Sequence, residues 1–263
     1  MTDQQTWWTH QRGPGPIVAT AIHDGHNVSS AALTEMALDD DARLREEDPF
    51  TGEALKDLPT YTIAHRSRFE VDLNRARETA IYRTPDQSWG LRVWRAEPSE
   101  AVCRDALAYH DAYYAHVASL LDDVARRHAH FVVLDVHSYN HRREGADAPP
   151  TPQADAPDIN IGTFSMPRQD WAFLLDPLIE AMRRYDFAGR TLDVRENVAF
   201  QGKGEQTRFV HERYPGKACA IALEFKKFYM DEWSGEPDPS ALAAMRGLLK
   251  HVADTAAALL TRT

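Results

Sequence analysis

Three short apolar runs, each leading into a histidine or a glutamate, constrain the fold of this chain more than any other feature. Their composition is typical of strands that are buried on both faces of an α/β sheet. Functional groups in open α/β sheets gather at the carboxyl ends of the strands, so the polar residues are expected at one sheet edge. The runs are 16–22 with His23 and His26, 131–136 with His137, and 220–223 with Glu224.

Helical patterns between these runs complete the fold prediction. Apolar residues recur with a helical period over 99–127, 170–184 and 239–260. The chain has 263 residues, enough for one large core, and no linker divides it. We therefore predict a single α/β domain over 1–263 with three layers: a central mixed, mostly parallel sheet and helices on both faces.

Composition excludes several classes of partner. The net charge is −10 and no Lys/Arg block is present, which argues against nucleic-acid binding. No apolar run approaches 18 residues, and the first residues lack a signal-peptide pattern. Cys103 and Cys219 are far apart and outside any metal-type spacing. We expect a cytoplasmic protein with no membrane partner; its oligomeric state is left open.

Three segments outside the predicted strands need an interpretation, and two of them, 48–53 and 142–157, could border the predicted site. The heavily charged segment 39–48 is expected to be the solvated face of a helix. Residues 48–53 have turn chemistry and form either a simple turn or a loop over the site. The segment 142–157 is rich in Ala, Pro and Asp without periodicity, which indicates a mobile loop or lid.

The polar residues after the strands have the composition of a catalytic zinc site, which typically keeps three protein ligands and one open position. His23 and His26 are close enough in sequence to chelate one ion, and His137 would complete the set from another strand. Zinc makes its water acidic, and a carboxylate must then pass a proton to the leaving nitrogen. Glu224 is the candidate for this role, because an unpaired buried carboxylate is otherwise costly.

An arginine-rich segment makes the assignment more specific, with four arginines between positions 66 and 77. The sequence resembles the N-formylglutamate amidohydrolase family, which belongs with zinc carboxypeptidase-type hydrolases such as aspartoacylase. The resemblance covers about 16–230, and its most specific part is the arginine-rich segment. The motifs that carry it are Ile22-His23-Asp24-Gly25, His65-Arg66-Ser67-Arg68-Phe69-Glu70-Val71-Asp72-Leu73-Asn74-Arg75 and Leu134-Asp135-Val136-His137-Ser138.

The resemblance implies zinc at His23 and His137, with Glu224 as the general base and acid. The wider superfamily has Glu at the second chelating position, where this chain has His26. Imidazole is an equally good zinc ligand, so His26 is predicted as the third ligand. Asp24 and Asp72 are the competing candidates. Asp135 is expected to orient an imidazole from outside the ligand set.

The same resemblance implies the substrate contacts. Asn74 and Arg75 would hold a substrate carboxylate, with Arg66 as a further candidate. Arg68 would contact the carboxylate or polarise the scissile carbonyl, since a guanidinium binds carboxylates in a bidentate manner. The alternative for Arg66 and Arg68 is an ion pair with a nearby carboxylate in the same segment.

These expectations converge on a zinc-dependent amidohydrolase whose substrate is a small carboxylate. The first candidate is N-formyl-L-glutamate, hydrolysed to formate and L-glutamate. One alternative is a related zinc peptidase or amidase that acts on a peptide or cell-wall substrate. The other is a member of the fold that binds a carboxylate without catalysis.

Overall fold

The computed structural model describes residues 7–261. Within this range, seven strands form one sheet that is flanked by α-helices. The strands are β1 (Trp8–Gln11), β2 (Ile17–Ala21), β3 (Tyr61–Ala64), β4 (Phe131–Tyr139), β5 (Ile159–Gly162), β6 (Val194–Glu196) and β7 (Ala218–Lys226). The helices are α1 (Ser30–Glu35), α2 (Asp40–Glu46), α3 (Thr51–Ala54), α4 (Glu100–Arg127), α5 (Ala172–Arg184), α6 (Glu205–Arg213) and α7 (Pro239–Leu260).

The sheet is mixed and mostly parallel, with strand order β1-β3-β2-β4-β7-β5-β6. Strands β3, β2, β4 and β7 run parallel to one another. The β1–β3 and β5–β7 pairs are antiparallel. The three strands predicted to carry the site are therefore adjacent, in the order β2, β4, β7, and their carboxyl ends lie at one edge.

Hydrophobic cores lie on both faces of the sheet. Alternate residues of a strand point to opposite faces, so Ile17 joins one core and Val18 the other. The first core packs against α3, α5 and α7, and the second against α4 and α6. This arrangement confirms the predicted three-layer α/β class.

The long helix shows how local sequence sets an element boundary. The Ser99 side chain accepts a hydrogen bond from the backbone N–H of Val102, which caps α4 at its start. Nine residues of α4 are buried with a helical period, as its sequence pattern predicts.

By contrast, residues 142–157 form only turns and irregular chain. Over residues 7–261, none of the helices has the length and apolar character to cross a bilayer.

Candidate active site

Three of the predicted site residues, His23, His137 and Glu224, meet in a cavity at the carboxyl ends of the central strands. His137 lies in β4 directly beside Glu224 of β7, because the two residues are paired in register. His23 follows the end of β2, the strand on the other side of β4. All three side chains line a cavity of about 420 Å³. The convergence of residues that are remote in sequence is therefore a consequence of strand order.

Among residues 7–261, one group of three side chains is arranged to hold a metal ion. His23, Asp48 and His137 each offer one ligand atom, and these atoms lie within 4.8 Å of one another. The Asp48 Oδ2 atom is 3.4 Å from His23 Nδ1 and 3.2 Å from His137 Nδ1. All three residues are buried. The two imidazoles thus present the same type of nitrogen to one carboxylate oxygen.

The opposite nitrogen of each imidazole lies next to a second carboxylate: His23 and Asp72 form a hydrogen bond, whereas His137 and Asp135 make an ion-pair contact without hydrogen-bond geometry. His23 Nε2 lies 2.7 Å from Asp72 Oδ1, and His137 Nε2 lies 3.0 Å from Asp135 Oδ2. A carboxylate that accepts from Nε2–H fixes the tautomer and leaves Nδ1 free to bind a metal, which is the usual environment of a metal-binding histidine. Asp135 thus has the position expected for it from the sequence.

Asp135 is itself held by two donors from other elements. Its Oδ1 accepts hydrogen bonds from Thr20 Oγ1 at 2.9 Å and from Gln206 Nε2 at 3.1 Å. Thr20 lies in β2 and Gln206 in α6, so three elements fix this carboxylate. The imidazole of His137 is therefore oriented by a buried network rather than by its own strand alone.

The three residues fit a divalent metal. His23 Nδ1 is buried and has no hydrogen-bond partner within the protein; an orphaned buried polar atom of this kind costs about 1–3 kcal/mol. Two imidazole nitrogens and one carboxylate oxygen form a donor set typical of catalytic zinc sites.

The electrostatics of the group also favour a cation. Burial by itself lowers the pKa of His137, but the neighbouring carboxylates of Asp135, Glu224 and Asp48 raise it well above its usual range. Burial tends to raise the pKa of Asp48, yet the hydrogen bond from His137 and the charge of the two histidines hold it far below its usual value. Asp48 is therefore ionised, and the negative potential that favours a proton here favours a metal ion equally.

His26, the predicted third ligand, is not brought into this group. Its Nδ1 lies 2.5 Å from Glu47 Oε2, and 38% of the side chain is exposed. The chain turns at Gly25, where an added Cβ would lie 2.4 Å from the carbonyl carbon of His65. The structure thus places His26 beside Glu47 and outside the cavity that His23 and His137 line.

The competing candidates also have other contacts. Asp24 Oδ1 accepts a hydrogen bond from the backbone N–H of Gly52 at 2.9 Å, and burial raises the pKa of Asp24 to about 6. Asp72 holds the far nitrogen of His23 and accepts hydrogen bonds from Arg68 and Tyr82. The geometry places Asp48, and neither of these, between the two histidines.

Sequence reasoning missed Asp48, because the charged segment 39–48 was expected to be solvated. Its last two residues are instead fully enclosed: Glu47 is 0% and Asp48 2% exposed. The Asp48 N–H donates to the carbonyl of His23 at 2.9 Å, which ties the two residues together. The available signal was the alternative that residues 48–53 form a loop over the site.

Glu224 is the carboxylate suited to moving a proton. Burial raises its pKa to about 7, while the charge on His137 acts in the opposite direction. A carboxyl group with a pKa near neutrality can both accept and release a proton at the working pH. Its position beside His137 and in the cavity wall brings this group to the candidate metal position.

The arginine-rich segment divides between two roles. Arg68, Asn74 and Arg75 line the cavity, whereas Arg66 does not. Arg66 Nη1 lies 2.8 Å from Asp105 and 3.4 Å from Glu70. Both arginines thus have an ion pair within the segment, Arg66 with Glu70 and Arg68 with Asp72, but only Arg68 also lines the cavity.

Arg68 is held in place from two sides. It donates to Asp72 Oδ2 at 3.1 Å, and its guanidinium lies 4.6 Å from the centre of the Trp89 ring. Four more cations line the same cavity and were not singled out from the sequence: Arg143, Lys203, Arg208 and Lys227. The cavity thus combines a metal-type donor group with a wall in which six cationic side chains face five carboxylates.

Comparison with solved structures finds the same fold in other proteins. The fold is similar to that of the crystal structure of N-formylglutamate amidohydrolase from Ralstonia eutropha JMP134, with a TM-score of 0.75 and 16% identity over 97% of this chain and 99% of that one. Gene product Atu2144 from Agrobacterium tumefaciens is similar with a TM-score of 0.63 and 15% identity over 95% of this chain and 94% of that one.

These structural likenesses show a shared fold. No curated protein matches the chain. The family model for N-formylglutamate amidohydrolase, however, matches residues 15–230. The chain belongs to the N-formylglutamate amidohydrolase family, and is accordingly a hydrolase of the amidohydrolase type.

Proposed function

We propose that this protein is a zinc-dependent hydrolase that cleaves the amide bond of an N-acyl amino acid, with N-formyl-L-glutamate as the first candidate substrate. The observation that carries the proposal is the meeting of a His–Asp–His donor group, a near-neutral carboxyl group and several guanidinium groups in one cavity. Family membership supports the reaction class.

His23, Asp48 and His137 would hold the metal, and Glu224 would move the proton. A zinc ion bound there would polarise the acyl carbonyl and make a water molecule acidic near neutral pH. Glu224 would accept a proton from the attacking water and deliver it to the leaving nitrogen. Its pKa of about 7 suits both halves of this transfer.

Arg68, Arg75 and Asn74 would bind the carboxylates of the substrate. Arg68 already uses part of its guanidinium on Asp72, and Arg75 Nη2 donates to the Gln87 carbonyl at 2.7 Å. Each guanidinium therefore has a fixed orientation and remaining N–H donors for a ligand. A dicarboxylate such as N-formylglutamate would match the remaining donors of Arg68 and Arg75 in the cavity wall.

The Arg68→Gln variant is expected to lower kcat/KM about 10–100-fold, because a hydrogen bond to a charged group contributes about 1.5–3 kcal/mol. Arg66→Gln is the matched control from the same segment, and its kcat/KM should stay within about threefold of the wild-type value, since Arg66 lies outside the cavity. Steady-state kinetics on N-formyl-L-glutamate measure both values. Equal losses in the two variants would contradict the division of roles.

The proposed function is tested by metal analysis together with a substrate panel. We expect about one zinc ion per chain, loss of activity on chelation, and recovery on adding zinc. Among N-formyl, N-acetyl and N-succinyl amino acids and short peptides, N-formyl-L-glutamate should have the highest kcat/KM. Preferential peptide cleavage would favour the peptidase or amidase alternative. Absence of zinc from the purified protein and after titration would favour the carboxylate-binding alternative.

A further inference from the structure

We propose that Lys227 is a positioning residue that sets the place of Asp48 in the metal-binding group. The inference rests on the proposed metal centre. Lys227 follows the end of β7 and is buried, with 1% of its surface exposed. No part of the sequence analysis or of the proposed reaction assigns it a role.

The contacts of the Lys227 ammonium group point to the end of helix α2. Its Nζ atom donates to the carbonyl of Arg45 at 2.5 Å and to the carbonyl of Glu47 at 2.6 Å. The last carbonyls of a helix have no partner within the helix, and a cation at this end is favourable. Asn140 Nδ2 donates to the same Arg45 carbonyl at 2.9 Å. Lys227 and Asn140 thus fix the point at which α2 ends.

Fixing the Glu47 carbonyl also fixes the next residue, because the peptide unit that joins Glu47 to Asp48 is planar. The side chain of Glu47 is anchored as well, by His26 and by Ser67. Asp48 is thereby presented between the two histidines by a framework of hydrogen bonds to which Lys227 contributes its ammonium group.

Lys227 also links the two functional carboxylates. It lies three residues after Glu224 on the same chain segment, while its ammonium group holds the segment that carries Asp48. A movement of α2 relative to β7 would therefore break these hydrogen bonds before it separated Asp48 from Glu224. The spacing between the candidate metal ligand and the candidate proton carrier depends on this lysine.

Lys226 provides a matched control in the preceding position. It is also buried, at 5% exposure, and its Nζ donates to Gln153 Oε1 at 2.6 Å and to the Ala156 carbonyl at 2.9 Å. It pairs with Asp158 at 3.1 Å. Lys226 therefore has the same chemistry and strand end as Lys227, but it anchors a different segment and does not line the cavity.

The test measures zinc affinity by competition with a chromogenic chelator for the wild type, Lys227→Met, Lys227→Gln and Lys226→Met. Loss of a residue that orients a metal ligand typically costs about 10–100-fold in affinity, and we expect this loss in Lys227→Met. Lys226→Met should remain within about threefold of the wild type even if urea unfolding shows a comparable loss of stability. Lys227→Gln keeps N–H donors without the charge and should lie between Lys227→Met and the wild type.

The outcomes separate this inference from the proposed function. If the wild type binds zinc and both Lys227 variants bind it equally well, the positioning role is wrong and the metal centre stands. A higher KM with unchanged zinc affinity would assign Lys227 to the substrate and would also overturn the inference. If Lys226→Met weakened zinc binding as much as Lys227→Met, the cause would be the loss of any buried charge at this strand end, and the positioning role would be wrong. A wild type that binds no zinc would overturn both. If Lys227→Met does not fold, the result for Lys227→Gln decides.

Discussion

Glu224→Gln is expected to lower kcat by about 10²–10⁴-fold, the range that a positioned general base contributes, while zinc content stays unchanged. The amide has nearly the shape of the carboxylate but cannot accept the proton from water. Because the three candidate ligands are untouched, chelator competition should give the wild-type zinc affinity. Turnover near the wild-type rate would contradict the role of Glu224 as the proton carrier.

Glu224→Gln lowers activity, but it is expected to raise the stability of the metal-free protein. The pKa of Glu224 is raised from 4.5 to about 7, chiefly by burial, so its ionised form is disfavoured in the folded protein. In the metal-free wild type, the contribution of Glu224 to stability should therefore fall by about 3 kcal/mol as the pH rises from 4.5 to 7, at about 1.36 kcal/mol per pKa unit. Above pH 7, metal-free Glu224→Gln should be more stable than metal-free wild type in urea unfolding.

At pH 4 the advantage of Glu224→Gln should vanish, because Glu224 is then protonated in both the folded and the unfolded protein. A variant that is less stable than the wild type at pH 8 would show that the Glu224 carboxylate is stabilised within the fold by contacts other than the metal. The comparison also separates a loss of activity from a loss of folding.

The second large effect concerns the identity of the third ligand. Loss of a residue that only orients a metal ligand typically weakens metal binding about 10–100-fold. Asp48→Ala is expected to weaken zinc binding by more than this, because it removes a charged donor placed between His23 and His137. His26→Gln should weaken it far less, since the His26 side chain pairs with Glu47 and lies outside the cavity. Chelator competition on the two variants gives the order directly.

A second reading guards against misfolding of Asp48→Ala. Asp48→Asn keeps the side-chain volume and removes the charge, and it should also lose zinc affinity strongly. If His26→Gln proves the more damaging change, the ligand set proposed from the sequence, His23, His26 and His137, would replace the one proposed from the geometry.

Much of this protein follows from its sequence. The three apolar runs specify buried strands because both faces of the central strands in a three-layer fold are covered, which favours continuous apolar segments. A residue at the carboxyl end of such a strand therefore lies at the sheet edge where the site forms. The positions of His23, His137 and Glu224 around one cavity were therefore predictable, and so was the α/β class.

The division within the arginine-rich segment was less accessible. Arg66 and Arg68 have the same chemistry and lie two positions apart, yet one points to an ion pair with Asp105 and the other lines the cavity. Asp105 lies in α4, far along the chain, so no local pattern could reveal which arginine it would engage.

Asp48 and Lys227 were decided by the tertiary structure alone. Both are charged residues in segments whose composition indicates solvent exposure or simple pairing, and both become buried when α2 packs against the end of β7. Strand residues are positioned by backbone hydrogen bonds, and their side chains alternate between the two faces of the sheet. A ligand in a loop is instead positioned by contacts with elements remote in sequence. The local sequence pattern therefore predicted the positions of His23, His137 and Glu224. It could not predict the position of Asp48, because the contacts that hold this residue form only after the layers have packed.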